Sequence, residues 1–288
     1  MRHTIWQSAV GAALVLSGCN FTDRVPVEME QATESRPLGS ESSLEARVQV
    51  DVGSLEISGE GAGQLYEADL EYDKAGYEPE FHYDPGSSRN GVLTCKLESL
   101  HRSGLRGERN TNRLRLNLTG TIPLDLQIKT GVGDVRLALS RLQVSRLDLE
   151  AGVGGARLSS YEPNPAICDE IRLRNGVGSL EAMGLGNLNF RRLDFEGGIG
   201  GADLDFSGDW KQNADVRISV GIGGVSLRVP RTLGVRLTAE KHFLSGFSLD
   251  GFRRQSGDDY YSENYDTARI HISVVVKTGI GGFKISWI

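Results

Sequence analysis

Apolar and polar residues alternate through most of the chain after residue 44, and a short glycine motif interrupts this alternation at regular intervals. The motif is Gly-(Val/Ile)-Gly, and its copies begin at positions 131, 152, 176, 198, 221 and 279. The first five copies are 21, 24, 22 and 23 residues apart, and the last gap is 58 residues. An alternation of period two is typical of a strand with one buried face. Each repeat therefore predicts a strand, a glycine turn and a second strand.

The repeats also predict how the strands are arranged. Because equivalent strands run in the same direction in every repeat, the chain is predicted to be all-β, a parallel β-solenoid with two strands per rung of roughly 22 residues. Glycine allows positive φ and lets neighbouring turns approach closely. The predicted turn glycines are Gly131, Gly133, Gly152, Gly154, Gly176, Gly178, Gly198, Gly200, Gly221, Gly223, Gly279 and Gly281.

The outward-facing charges predict the register of the rungs. In successive repeats, the first outward position holds Gln127, Asp148, Arg172, Asp194 and Arg217. The position two residues later holds Lys129, Glu150, Arg174, Glu196 and Ser219. In-register parallel stacking would place opposite charges side by side, which contributes roughly 0.2–1 kcal/mol per pair. Antiparallel pairing or a slip of one residue would not produce this pattern.

The long gap before the last motif predicts two further features. Residues 235–249 alternate weakly and are predicted to form a degenerate rung. A polar, tyrosine-bearing loop insertion at about 250–268 is predicted to cover the end of the stack, and residues 269–288 to form the closing rung. The repeat solenoid thus spans residues 121–288. Residues 44–120 alternate less regularly and predict an irregular N-terminal β cap that continues into the solenoid.

The start of the chain has the pattern of a targeting signal. Residues 1–18 have a basic start and a short apolar run, and small residues then precede Cys19, which resembles a bacterial lipoprotein signal peptide. The resemblance implies cleavage before Cys19 and its lipidation, so that acyl chains hold the protein to the membrane. The alternative is an ordinary secretory signal with a chance cysteine. Asn20 favours the outer membrane of the bacterial cell envelope if the host is Gram-negative. Residues 19–43 are predicted to be a flexible tether.

Composition and charge narrow the functional classes. The chain has 37 glycines among 288 residues, and its 32 basic and 38 acidic residues give a net charge of −6. The basic residues are dispersed, which argues against nucleic acid as a partner. Each glycine motif leads into a strand and not into a helix, which argues against nucleotide binding. The histidines lack metal-ligand spacing, so we expect no metal, no cofactor and no catalytic residue.

The two cysteines beyond Cys19 leave two alternatives open. In an oxidising envelope, Cys95 and Cys168 could form a disulfide, or they could be two free buried thiols. The pattern does not decide between them, because a disulfide depends on the distance between the two Cα atoms in space.

The loop at about 250–268 also has two interpretations. Its acids could form a calcium site or, with its aromatic rings, a sugar site. It could instead be a solvated cap whose tyrosines pack on the last rung, and the lack of a calcium-loop spacing favours this cap. The residues concerned are Asp258, Asp259, Glu263 and Asp266, with Tyr260, Tyr261 and Tyr265.

Three segments resemble a known family. Residues 44–83, the Gly-Val-Gly rungs with Val229-Pro230, and the closing Lys-Thr-Gly-Ile-Gly-Gly stretch are similar to bacterial toastrack domains. That family includes adhesin-like proteins and LiaF-like cell wall-active antibiotics response proteins. The resemblance covers nearly all of residues 44–288 and implies a non-catalytic envelope domain. LiaF-like proteins usually carry membrane helices before this domain, whereas this chain has the predicted lipidated tether.

We therefore expect a lipid-anchored binding or scaffolding module, adhesin-like, whose partner is an unknown envelope protein or glycan. Self-association through the solenoid ends is a further expectation. One alternative is an accessory sensor of an envelope stress-signalling system. Another is a polysaccharide-active solenoid enzyme, which would need carboxylates gathered on one exposed face. The acids are instead shared out among basic neighbours, which argues against an enzyme.

Overall fold

The structure is a computed structural model, and it describes residues 27–59, 63–86, 89–100, 112–240 and 245–288. No helix within these ranges is long and apolar enough to cross a membrane. Among the described residues, one 3-10 turn covers Leu185–Leu188. The strands are β1 (Met29–Pro37), β2 (Ser43–Val52), β3 (Ser54–Gly59), β4 (Gln64–Asp73), β5 (Tyr77–Asp84), β6 (Asn90–Ser99), β7 (Arg113–Leu118), β8 (Pro123–Val132), β9 (Val135–Ala138), β10 (Gln143–Val153), β11 (Ala156–Ser159), β12 (Cys168–Val177), β13 (Leu180–Met183), β14 (Phe190–Ile199), β15 (Ala202–Asp205), β16 (Ala214–Val229), β17 (Leu233–Glu240), β18 (Ser245–Leu249), β19 (Phe252–Ser256), β20 (Asp259–Ser262) and β21 (Ile270–Trp287).

The strands stack as two parallel ladders that meet at the glycine turns. The first ladder runs in the order β6, β2, β8, β10, β12, β14, β16, β21 and β17. The second ladder runs β7, β3, β9, β11, β13 and β15, then the second halves of β16 and β21, then β18. The predicted parallel β-solenoid is therefore confirmed.

The core lies between the two ladders and is built from the inward residues of each rung. Equivalent inward positions stack directly on one another, because parallel in-register pairing aligns side chains of the same face. Burying each aliphatic side chain stabilises the fold by about 1.5–3 kcal/mol. One such stack consists of Leu126, Leu147, Ile171, Leu193, Val216 and Val274, each at most 1% exposed.

The register predicted from the outward charges is confirmed. Asp148 lies between Gln127 and Arg172, and Glu150 lies between Lys129 and Arg174. Ion pairs across neighbouring rungs follow from this register, with N–O distances of 3.6 Å for Lys129–Glu150, 2.9 Å for Arg174–Asp148 and 3.5 Å for Arg217–Asp194.

The order of the last rungs differs from the prediction. The segment 269–288 does not close the stack, because its strand β21 pairs with β16 on one side and with β17 and β18 on the other. The degenerate rung of β17 and β18 is the outermost rung instead. The rung of β21 and the rung of β17 and β18 have the same pattern of inward residues. No local signal in the sequence therefore shows which of the two pairs with β16 and which is outermost.

The N-terminal region also departs from the prediction in part. Residues 44–120 contain two regular rungs, one of β2 and β3 and the other of β6 and β7. The rung of β2 and β3 lies in the middle, with the rung of β6 and β7 on one side and the rung of β8 and β9 on the other. The irregular part consists of β4 and β5, which pair antiparallel with β7 and β6.

The predicted tether contains a strand. Met29–Pro37 forms β1, which pairs antiparallel with β4 along its length, so the description of residues 29–37 as a flexible tether is wrong. All but one residue of β1 is exposed. The strand is held by backbone hydrogen bonds at a sheet edge and not by burial, which is why the polar sequence gives no alternating pattern.

Candidate binding surfaces

Two steric demands explain the turn glycines: both positions lie against the backbone of the neighbouring rung, and the second position also has positive φ. The first glycine lies against the backbone of the neighbouring rung: a Cβ on Gly176 would lie 2.5 Å from the carbonyl oxygen of Gly152. The second glycine has positive φ, for example 140° at Gly178 and 146° at Gly223. A side chain is strained in that backbone region. The sequence pattern predicts both roles for the motif but does not assign them to its two glycines separately.

The middle residue of each motif points outwards and forms an aliphatic ridge along the corner of the solenoid. These residues pair in register from rung to rung. Five of them are 44–53% exposed. Seven rungs at the usual strand spacing make the ridge roughly 29 Å long. The ridge consists of Val52, Val132, Val153, Val177, Ile199, Ile222 and Ile280.

Sequence reasoning missed this ridge. The alternation assigns inward and outward positions within the strands, and it gives the middle residue no role beyond that of a turn. A usable signal was nevertheless present, because every middle residue is aliphatic at a place where a turn usually exposes polar side chains. An extended exposed apolar feature of this kind is a candidate interaction surface.

The outer face of the first ladder is polar, and its charged groups are largely paired with each other. Near its start, Asp125 is partly buried beside Glu45 and Arg146. Burial raises the pKa of the Asp125 carboxyl, and the Arg146 guanidinium opposes that shift. Farther along, Arg174 contacts both Asp148 and Glu150. Asp148 and Glu150 are therefore both engaged with a basic neighbour.

The tyrosine-bearing loop forms the antiparallel hairpin of β19 and β20, which pairs with β17 and covers the first ladder at its C-terminal end. Asp259 accepts hydrogen bonds from Thr238 at 2.6 Å and from Arg236 at 3.1 Å. The hydrogen bond from Thr238, and after it the one from Arg236, lowers the pKa of the Asp259 carboxyl. The described residues contain no group of His, Cys, Asp and Glu side chains that could hold a metal ion. Because β20 pairs with β17, the hairpin forms a cap on the outermost rung.

The loop aromatics pack on each other and on the neighbouring strand. Tyr265 makes edge-to-face contacts with Tyr261 at 4.8 Å and with His271 at 4.7 Å between ring centroids. His271 is fixed further, since its Nε2 lies 2.9 Å from the backbone carbonyl oxygen of Tyr265. Tyr260 packs against the hydrophobic core. The tyrosines therefore have the packing role that the cap interpretation predicts.

The two cysteines are free buried thiols. Cys95 lies in β6 and Cys168 in β12, and both are 0% exposed. The two strands are four steps apart in the first ladder, or roughly 19 Å at the usual strand spacing. A disulfide needs Cα atoms within about 7 Å, so the disulfide alternative is wrong. The predicted lipid-attachment residue, Cys19, lies outside the described residues.

Comparison with known families agrees with this architecture. A family model described as the N-terminal domain of toast_rack (DUF2154) matches residues 25–182 and 164–228. The chain belongs to this family. The match confirms the resemblance to toastrack domains and includes the regular rungs up to β16 and the edge strands β1, β4 and β5.

Several solved structures are similar to this toast_rack chain, and two of them come from bacteria. One is a "putative cell adhesion protein" from Clostridium sporogenes, with 20% sequence identity, a TM-score of 0.49, and coverage of 91% of this chain and 100% of that chain. Another is a "putative adhesin" from Bacteroides fragilis, with 11% identity, a TM-score of 0.37, and coverage of 89% and 97%. Among curated proteins, none matches.

Proposed function

We propose that the protein is a non-catalytic, lipid-anchored component of the bacterial cell envelope, whose solenoid is an adhesin-like binding or scaffolding module. The aliphatic ridge carries this proposal. Its residues lie on a hydrogen-bonded corner: the amide of Gly154 donates to the carbonyl of Val177 at 2.9 Å, and that of Gly178 donates to the carbonyl of Ile199 at 2.9 Å. A rigid corner presents apolar side chains at a low cost in conformational entropy on binding.

The polar outer face supports a non-catalytic role. General acid and base catalysis by carboxylates needs two groups that flank a reacting bond. The acids on this face instead alternate with basic residues from rung to rung, as Asp148 and Asp194 do with Arg172. This arrangement stabilises the register of a scaffold.

Site-specific photo-crosslinking in cells tests the proposal. A photoreactive amino acid would replace Val177 on the ridge of the full-length protein, and in a matched control it would replace Glu181, an outward residue of the same rung. We expect the Val177 position to capture an envelope protein or cell-wall glycan that the Glu181 position does not capture. The captured material would be identified by mass spectrometry.

The same experiment separates the alternatives. Capture of a membrane signalling kinase from position 177 would replace the scaffold proposal with a sensor role. Equal capture from both positions, or none from position 177, would contradict a role for the ridge. As a second readout, a Val153→Ser and Val177→Ser variant should reduce surface attachment or envelope integrity if the proposal is right.

A further inference from the structure

An open pocket of about 530 Å³ lies on the outer face of the first ladder, where strands β16 and β21 begin. Its volume is in the usual range for ligand sites. The pocket is separate from the aliphatic ridge, because Asp215 precedes Ile222 by seven residues of β16, or roughly 23 Å of strand. The lining residues are Asn213, Ala214, Asp215, Tyr265, His271 and Ser273.

The two rings of the pocket are held in fixed positions. The centroid of the His271 ring lies 4.7 Å from that of Tyr265, and its Nε2 lies 2.9 Å from the Tyr265 carbonyl oxygen. Gly234 pairs with His271 in register, and a Cβ at Gly234 would lie 2.9 Å from His271 Cδ2, so a side chain there would displace the imidazole. Because a carbonyl only accepts, Nε2 carries the proton, and Nδ1 of the neutral ring is left as an acceptor.

The polar groups beside these rings have hydrogen-bonding capacity to spare. Asn213 uses its Oδ1 to accept a 2.8 Å hydrogen bond from the His271 amide, which leaves its NH2 group as a donor. Asp215 makes no ion pair with the described residues, although Arg192 lies beside it in register. Arg192 instead contacts Glu170, at 3.5 Å between Nη1 and Oε1. The exposed carboxylate of Asp215 is therefore available to a ligand.

The alternation of outward charges stops at β21, next to this pocket. A ladder that served only the register would place a base beside Asp215 and an acid beside Arg217. The residues at those positions are Ser273 and Val275, and both are partly exposed. They form a neutral strip that leads from the pocket along β21, so a ligand larger than the pocket could continue across it.

We propose that this pocket binds a neutral glycan. Each sugar hydroxyl both donates and accepts hydrogen bonds, and the pocket presents acceptors on Asp215 and His271 beside a donor on Asn213. The apolar face of a sugar ring packs well on an aromatic side chain, which Tyr265 supplies. Further sugars of the chain would lie on the neutral strip.

The charges favour a neutral glycan over other ligands. An acidic glycan or a phosphate would be repelled by the unpaired carboxylate of Asp215. A divalent cation of the calcium type needs about six or more oxygen ligands, and the described residues contain no cluster that could hold a metal ion. The site also differs from a sugar site built on the acids of the tyrosine-bearing loop, because its carboxylate comes from β16.

Titration calorimetry of the full chain tests the proposal. The probes are soluble hexasaccharides of glucose, mannose and N-acetylglucosamine, and a hexasaccharide of galacturonic acid is the acidic comparison. We expect at least one neutral probe to bind, and to bind more tightly than the acidic one. Asp215→Ala should raise the dissociation constant at least about tenfold, because hydrogen bonds to a charged group are lost. Glu196→Ala, an outward acid of β14 outside the pocket, is the matched control and should bind like wild type.

Variants of Tyr265 test the role of its ring. Tyr265→Leu should raise the dissociation constant at least about fivefold, because the aromatic face is lost. Tyr265→Phe keeps the ring and should stay within about threefold of wild type. Thermal unfolding of each variant would show that the fold is retained.

Ser273→Arg separates binding from folding. The introduced side chain would pair with Asp215 and continue the charge alternation, so thermal stability should be kept or raised. Because the same side chain fills the pocket, binding of the neutral probe should be lost. Unchanged binding by Ser273→Arg, no binding of any neutral probe, tighter binding of the acidic probe, or an equal loss in Glu196→Ala would each overturn the proposal. Each of these results leaves the proposed envelope function standing, since that function rests on the ridge and is tested at Val177.

Discussion

Tyr83 donates a 2.7 Å hydrogen bond from its hydroxyl to Oε1 of Glu41, and this contact joins edge strand β5 to the segment between β1 and β2. The Arg36 guanidinium lies 4.1 Å from the centre of the Tyr83 ring. The hydrogen bond from Tyr83 lowers the pKa of Glu41, and burial raises the pKa of Tyr83 to about 12. The three residues form a polar clamp at the N-terminal end of the solenoid.

Removing the hydroxyl of this clamp should destabilise the fold in a pH-dependent way. Tyr83→Phe should lower the free energy of unfolding by about 1 kcal/mol at pH 7. Because the pKa of Glu41 is depressed in the folded protein, its contribution is present above the ordinary value of 4.5 and is lost as the pH falls through the folded value. The difference between variant and wild type should therefore narrow in acid. Urea unfolding at pH 7 and near pH 3 measures both quantities.

A matched control for this prediction is Tyr161→Phe, since Tyr161 is 73% exposed. It should change the unfolding free energy little at either pH. A constant difference between Tyr83→Phe and wild type across the acid range would contradict the proposed role of Glu41.

Two glycines of neighbouring rungs should respond in opposite ways to the same substitution. Gly176→Ala places a Cβ 2.5 Å from the carbonyl oxygen of Gly152, so the rungs must separate locally, and we expect a loss of about 2 kcal/mol or more. Gly201→Ala meets only a contact at 3.7 Å and should be neutral or slightly stabilising, because alanine restricts the unfolded chain. Thermal unfolding at low protein concentration compares the two. Similar losses for both would contradict the distinction between a glycine whose Cβ would clash with the next rung and one whose Cβ would not.

Adjacent residues on opposite faces of β12 should differ strongly in their importance. Leu173 is 0% exposed, and Leu173→Ala should cost about 2–5 kcal/mol through lost burial and a cavity. The side chain of Arg174 is 42% exposed, and Arg174→Ala should cost less than about 1 kcal/mol. Only the loss of unfolding free energy caused by Arg174→Ala should shrink in high salt, because salt screens the ion pairs of Arg174 with Asp148 and Glu150. Denaturant unfolding at two ionic strengths checks this, and a salt-independent cost for Arg174→Ala would argue that the ladder is not electrostatic.

Features that repeat along the chain could be predicted from the sequence, and features set by a single long-range choice could not. The alternating signs of Asp148, Arg172 and Asp194 predict the register because each residue meets its equivalent in the next rung. The insertion of β21 between β16 and β17 has no such signal. The inward residues of β17 and β21 are similar, so either strand could have paired with β16. Strand β1 escaped prediction because backbone pairing with β4 imposes no side-chain pattern on an exposed edge.

The candidate surfaces show the same division. The turn glycines follow from their repetition, but the roles of the first and second glycine differ only in φ and in the distance from a Cβ to the next rung, as at Gly198 and Gly200. Those quantities exist only once the rungs are stacked. For the same reason the sequence does not show whether Cys95 and Cys168 form a disulfide. The number of strands between them in the first ladder decides this question.

The buried thiols give the final prediction. Burial raises the pKa of both Cys95 and Cys168 to about 12, so almost no reactive thiolate is present at pH 8, and neither sulfur is accessible. Ellman's reagent should therefore not react with these residues in the native protein and should react with both in denaturant. Ser219→Cys, at an exposed outward position, is the positive control and should react at once. The unfolding free energy should be the same with and without reductant, because Cys95 and Cys168 are not crosslinked. Rapid native labelling of Cys95 or Cys168, or a loss of stability on reduction, would show that the rungs between β6 and β12 are not packed as described.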